Sequence, residues 1–210
     1  MDTVRTARAT GAWYLALAVV GMLGFLIVRP KVVVDDPDLD LARIGLALEL
    51  GIVITQAVAA LWFYRLFAPI NRSAAVGVLS YGLVNAAAIL ASASFLWAAI
   101  TLDDPQFTPL LHELSSSAWA AGAIFFGLWL IPMGWAVVKS ARMPVALGWV
   151  LVVGGFGYVA SAFSTIFLPD AVLTEALSFP ASIGEFWMIA YLLIWGIRPD
   201  SVASGKAATS

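Results

Sequence analysis

Six apolar stretches, parted by short charged connections, limit what this chain can fold into more than any other feature. They cover 11–28, 44–67, 74–101, 117–138, 145–168 and 181–197 of the 210 residues. Each is close to the roughly 20 residues that a helix needs to cross the hydrocarbon of a bilayer. Only 11% of the chain is charged and 62% is hydrophobic, against about 25% charged in a soluble domain. The expectation is therefore an all-α polytopic membrane bundle with six transmembrane helices. Residues 1–198 would form one domain, and the small polar tail 199–210 would be disordered.

The charges between the stretches give an orientation. Arg5 and Arg8, Arg65 and Arg72, Lys139 and Arg142, and Arg198 and Lys206 all fall on one side. Asp35, Asp36, Asp38, Asp40, Asp103, Asp104, Glu113, Asp170 and Glu175 fall on the other, with Arg29, Lys31 and Arg43 among them. Basic residues stay cytoplasmic in membrane proteins, which predicts cytoplasmic N- and C-termini. A cleavable signal peptide is not expected, because the first stretch lacks a small-x-small site and runs directly into Arg29-Pro30-Lys31. Arg29 to Arg43 reads as a connection at the water interface. Thr108-Pro109 reads as a helix start, an N-cap followed by Pro at the first helical position, which would set His112 and Glu113 at an exposed mouth. Pro132 should bend the fourth helix. Ala87 and Ala91, Gly127, Gly148 and Gly154-Gly155 suit close helix approach. Trp13, Trp62, Trp97, Trp149 and Trp195, near helix ends, suit interfacial belts.

Composition also removes chemistry. The chain has no cysteine and one histidine, so thiolate sites, disulfides and multi-histidine metal or haem sites are excluded, and neither a metal nor a cofactor is expected. A net charge of −2 without a basic cluster leaves no footprint for nucleic acid.

Two carboxylates lie inside apolar stretches, where an ionisable group raises a functional hypothesis by default. Glu49 and Glu185 each fall about five residues in from the acidic side, some 7–8 Å by helical rise, hence at matching depth. Gln56 shares a helix face with Glu49. Tyr81, Asn85 and Ser92 form a stripe on the third helix, and Tyr158, Ser161 and Thr165 form one on the fifth. Lipid satisfies no hydrogen bond, so these stripes should face the bundle interior. Together they predict a polar site walled by aromatic and aliphatic side chains. Trp129, Phe125, Phe156, Trp187 and Tyr191 are candidate walls, the last two only if the sixth helix is buried on several sides.

Arg8-Ala-Thr-Gly-Ala-Trp-Tyr-Leu15, Ile124-Phe-Phe-Gly-Leu-Trp-Leu-Ile131, Lys139-Ser-Ala-Arg-Met-Pro-Val-Ala-Leu-Gly148, Gly155-Phe-Gly-Tyr158 and Pro180-Ala-Ser-Ile-Gly-Glu185 together resemble the bacterial membrane proteins grouped as the domain of unknown function 4386 family. The resemblance runs from Arg8 to Gly196. It implies a compact six-helix bundle in a bacterial plasma membrane and no agreed activity. Glu185 stands at the family-typical Pro-Ala-x-x-Gly-Glu position. A His often stands at the place of Ser115 and an Asp at that of Ser161, and this chain departs at both. A weaker likeness is to small integral-membrane terpene cyclases, which carry essential acids on an early and on the last helix, as Glu49 and Glu185 do here.

The expected function is a buried acidic site for a lipophilic small molecule. Its most concrete form is proton-initiated cyclisation or isomerisation of a prenylated substrate, with Glu185 as general acid and Glu49 as its partner. Asn85, Gln56, Ser92, Tyr158, Ser161, Thr165, Trp129, Trp187 and Tyr191 would line the site. The alternatives are a non-catalytic binding protein or proton-coupled transporter, or a structural or regulatory membrane subunit. The partners that follow are membrane lipids, a lipophilic ligand, and a second copy or another membrane protein.

Overall fold

The computed structural model describes residues 3–32, 38–102, 104–140, 142–167 and 171–198. Among these the chain is all helix, with no strand. The first helix, α1, runs Thr3–Val32 and is π-helical over Met22–Val28. It is followed by α2 (Leu39–Phe67), α3 (Arg72–Leu102), α4 (Thr108–Ser140), α5 (Val145–Phe167) and α6 (Ala171–Ile194). The first five hold apolar windows long enough to cross a bilayer, and the apolar part of α6 is Phe179–Ile194. The disorder expected of 199–210 lies outside the described residues.

The ends of the helices follow from local chemistry. Asp38 caps α2 by accepting from the Asp40 and Leu41 amides at 2.8 and 3.4 Å. Asn71 accepts from the Ala74 amide at 3.0 Å at the start of α3. Both satisfy amides that the first turn leaves without partners. The Thr108-Pro109 signal places the helix start correctly, since α4 begins at Thr108, but the Thr108 hydroxyl donates to the Asp104 carbonyl at 2.9 Å instead of capping the first turn.

Each helix packs on the next in chain order, and α6 returns to α1, so the six close a ring whose loosest seam is α1–α6. Both described termini lie at one end, where Gly196 meets Val4. That end is called the terminal end here, and the opposite one the far end. Side chains from several helices fill the ring: Tyr14, Phe63 and Trp129 meet edge to face with centroids 5.1–5.8 Å apart.

Close approach explains the tightest seam. An added Cβ at Gly127 or Gly155 would strike the carbonyl oxygen of the other, and the same holds for Gly134 with Gly148. These two facing glycine pairs bring α4 and α5 backbone to backbone, where packing of small residues drives association in lipid. Gly154 admits Ala181 and Gly157 admits the Leu177 carbonyl in the same way on α6. Ala87 and Ala91, expected in such contacts, are exposed. The packed small residues of α3 are Gly82, Ala86 and Ala93, on another part of the helix surface.

Two further expectations change. Arg29 is not in an interfacial connection, because α1 continues through it to Val32. His112 is buried rather than exposed at a mouth. Pro132 lies within the continuous α4, and its ring rests against Gly77 of α3.

Gly148→Val should destabilise the bundle by about 2 kcal/mol or more, because neither Val138 nor the Gly134 backbone has room to yield. Ala87→Val, facing lipid, should stay within about 0.5 kcal/mol. Thermal unfolding in detergent, followed by circular dichroism, separates the two; equal transitions would refute the packing account.

Candidate functional site

Glu49 is held in the far half of the bundle. Its carboxylate is ion-paired with the Arg29 guanidinium and accepts from Trp119 Nε1 at 3.1 Å and Ser92 Oγ at 3.2 Å. Arg29 also donates to Ser115 Oγ at 3.2 Å and lies 5.4 Å from the Trp119 ring centroid. Ser92 and Ser115 share a hydrogen bond of 2.8 Å. Four helices, α1 to α4, thus contribute to one network, with side-chain exposures of 10% for Arg29 and 4% for Glu49. The π-helical turns just before Arg29 are wider than α turns and rotate the residues that follow. Arg29 therefore points inward where a basic residue near a helix end would ordinarily reach for water. A charge taken out of water needs such pairing.

Glu185 sits elsewhere. It is half-buried, accepts from Tyr14 Oη at 2.7 Å and from Tyr158 Oη at 3.4 Å, and so ties α6 to α1 and α5. Along the sequence it stands fifteen residues after Asp170 and thirteen before Arg198, near the midpoint between these charged residues.

The two acids do not share a level. Tyr14 and Arg29, their partners on α1, are fifteen residues apart, about 22 Å of helix. On α2, Phe63, which packs on Tyr14, lies fourteen residues beyond Glu49, about 21 Å. The matching depth expected from sequence fails. Helices extend past their apolar stretches by unequal amounts, α2 by five residues from Leu39 and α6 by ten from Ala171, which accounts for about 7–8 Å of the offset. A row of rings bridges the levels: Trp119 stacks on Phe126 at 6.4 Å, and Phe126 meets Tyr158 at 6.3 Å.

A third polar group lies between them. Gln56, Asn85 and Trp129 are each fully buried. Both amide atoms of Gln56, both of Asn85, and Trp129 Nε1 have no hydrogen-bond partner among the described residues. The three are neighbours around α3: the Gln56 amide and the Trp129 ring flank Gly82, and the Asn85 carbonyl faces Gly122. A buried polar atom left unpaired costs about 1–3 kcal/mol, so five together are a large standing penalty.

Of the residues singled out from sequence, the fold brings Glu49 together with Ser92, Glu185 with Tyr158, and Gln56 with Trp129 at Gly82, with Asn85 one turn further along α3 against Gly122. Ser161 is buried one turn from Tyr158, donating to that residue's carbonyl at 2.8 Å. The Thr165 side chain is outside the described residues. Trp187 and Tyr191 turn away from Glu185 to a groove at the terminal end, and the Tyr191 hydroxyl donates to the Arg142 carbonyl at 3.4 Å. Phe156 is 60% exposed and faces lipid. Sequence reasoning missed Tyr14, Arg29, Ser115 and Trp119 as partners of the two acids. The available signal was Tyr14 within an apolar helix; nothing local marks a π-helical turn.

Glu49→Gln should destabilise the protein by about 3–5 kcal/mol, the cost of leaving a buried cation without its partner. The apolar double replacement Arg29→Met with Glu49→Leu should recover most of that loss. Denaturant unfolding of the three proteins tests this, and a Glu49→Gln transition like that of the parent would refute the pairing as a structural element.

Comparison with curated proteins and with solved structures finds no match. The family model described as "Domain of unknown function (DUF4386)" matches residues 9–196, which takes in all six helices and all three polar groups. The chain is a member of the domain of unknown function 4386 family, a multi-pass membrane protein of helical fold.

Proposed function

We propose that the bundle interior binds a lipophilic small molecule whose polar head is uncharged, hydroxylated or carbonyl-bearing. The observation that carries this reading is the unpartnered set of Gln56, Asn85 and Trp129. Amide and indole groups offer both donors and acceptors without charge, so a neutral head meets them best. Trp129 packs on Tyr14 at 5.5 Å, and Tyr14 donates to Glu185. The amides, the indole and the acid therefore form one continuous interior surface. Glu185 is half-buried at the α1–α6 seam, where a ligand dissolved in the bilayer would enter laterally. Phe63, Phe126 and Tyr158 offer an apolar wall for its hydrocarbon part. Whether Glu185 also exchanges a proton decides between a plain binding protein and a proton-coupled one.

Cyclisation of a prenylated substrate stands second. Its support is Glu185 among the rings of Tyr14 and Tyr158, a setting suited to a proton donor and a cationic intermediate. Glu49 does not support a two-acid form, since it is paired with Arg29 on another level. In this reading Glu185 acts alone, and turnover of a farnesylated phenol by membranes should vanish in Glu185→Gln. Product from that variant would end the enzyme reading.

The terminal end carries Arg65, Arg72, Lys139, Arg142 and Arg198, which supports a cytoplasmic orientation of that end and a bacterial plasma membrane as the setting. The natural absence of cysteine makes this testable without background. Asn71→Cys should resist a membrane-impermeant maleimide applied to whole cells, and Asp104→Cys should react. The reverse pattern would invert the topology.

The interior site predicts opposed effects from one pair of changes. Gln56→Leu and Asn85→Leu remove unpaired polar atoms while keeping similar shape, which is neutral to stabilising when no partner is lost. Each should raise the melting temperature of delipidated protein by about 2–4 °C. Lipid mass spectrometry of the purified parent should show a retained amphiphile with a neutral polar head, and each substitution should abolish that retention. A lower melting temperature with an unchanged lipid profile would sink the proposal.

A further inference from the structure

The terminal end has a groove of about 490 Å³ that the interior site does not use. Val4 of α1, Pro144 of the α4–α5 turn, Trp187, Tyr191 and Trp195 of α6, and Ile197 and Arg198 beyond it form the lining. A volume of that size lies within the usual range for ligand sites, roughly 300–1,000 Å³.

The way α6 ends builds the groove. Gly196 has φ of +69°, a left-handed conformation that suits glycine, and its amide bonds back to the Tyr191 carbonyl at 3.1 Å. The chain then folds across the bundle end. Ile197 is buried, and the Arg198 amide donates to the Arg142 carbonyl at 3.3 Å. This brings Arg198 to the mouth of a strip made by Trp187, Tyr191 and Trp195, spaced four residues apart on one face of α6. Trp195 is 62% exposed, and its ring stacks on Tyr191 at 5.7 Å.

Charge and length identify the occupant. Among the described residues of the terminal end there are seven cations (Arg5, Arg8, Arg65, Arg72, Lys139, Arg142 and Arg198) and no acid. From Trp187 to Trp195 is eight residues, about 12 Å along the helix axis, which stays within one leaflet of the roughly 30 Å hydrocarbon thickness. The apolar strip runs up to the bundle end, where the chain that folds across it places the Arg198 guanidinium. We propose that this groove is a binding site for an anionic phospholipid, with an acyl chain along Trp187, Tyr191 and Trp195 and the phosphate against Arg198. The site is independent of the interior one.

The test uses delipidated full-length protein in neutral detergent, titrated with phosphatidylglycerol or phosphatidylcholine and read by native mass spectrometry. Phosphatidylglycerol should be preferred, and Arg198→Gln should cut that preference about fivefold, the worth of one basic residue against an anionic lipid. Trp195→Ala should weaken both lipids alike. Arg43→Gln, at the far end, should leave both unchanged and so controls for general charge loss. Equal binding of the two lipids, or an undiminished preference in Arg198→Gln, would overturn the proposal. Competition by glycerol 3-phosphate at the same concentration as the lipid would also overturn it, since the apolar strip would then contribute nothing.

Discussion

Lipid supplies no hydrogen bond, and every polar side chain in this bundle is disposed by that constraint. Two solutions appear. Small hydroxyls turn back onto their own helix: Ser94 donates to the Leu90 carbonyl at 2.8 Å and Thr101 to the Trp97 carbonyl at 2.9 Å, both while exposed on the outer surface. Groups too large or too polar for that go inside and need partners from other helices. The guanidinium, the two carboxylates and the two amides all do so. The ring of six helices exists to be packed, by glycine contacts at α4–α5 and aromatic contacts at its centre, and it thereby creates the interior that these groups occupy.

The helical class and the number of helices were legible because apolar length alone decides them. Helix ends were less so. A spanning helix does not stop at the hydrocarbon boundary, and Asp38 and Asn71 cap helices outside the apolar stretches. The unequal excess, five residues on α2 and ten on α6, shifted the inferred depth of Glu185 relative to Glu49. The interior direction of Glu49, Asn85, Ser92 and Gln56 was readable from spacing, since lipid forbids the alternative. Their partners were not. Arg29 beside Pro30 has every local mark of an interfacial residue, and only the π-helical turns in Met22–Val28 turn it into the bundle. Trp187 and Phe156 failed as walls for a related reason: aromatic residues satisfy lipid as well as they satisfy a core, so their type carries no direction.

The three polar groups differ in what they still require. The Arg29–Glu49 network is saturated, with the carboxylate accepting from a guanidinium, an indole and a hydroxyl. Such a network fixes helices in register but leaves little for a ligand. Glu185 is partly satisfied by two phenols and partly open. The Gln56–Asn85–Trp129 set is unsatisfied throughout. Unmet hydrogen bonding is thus greatest in the set between the two acids, and a ligand gains most where the deficit is greatest.

Ser115 and Ser161 now have a physical context. The family resemblance leads to the expectation of a His at the first position and an Asp at the second. Here Ser115 lies within 3.2 Å of Arg29, so an imidazole in that place would set a second potential cation against the guanidinium. The small hydroxyl and the inward arginine therefore belong together. At Ser161 an acid would stand one turn from Tyr158, on the helix face that already serves Glu185, and two close carboxylates disfavour each other's ionised forms. A serine there leaves Glu185 without a second acid on that face. Of the two interior acids in this chain, one is neutralised by an arginine and the other has only hydroxyl partners, which is why the functional reading rests on Glu185 and on the unpaired amides beside it.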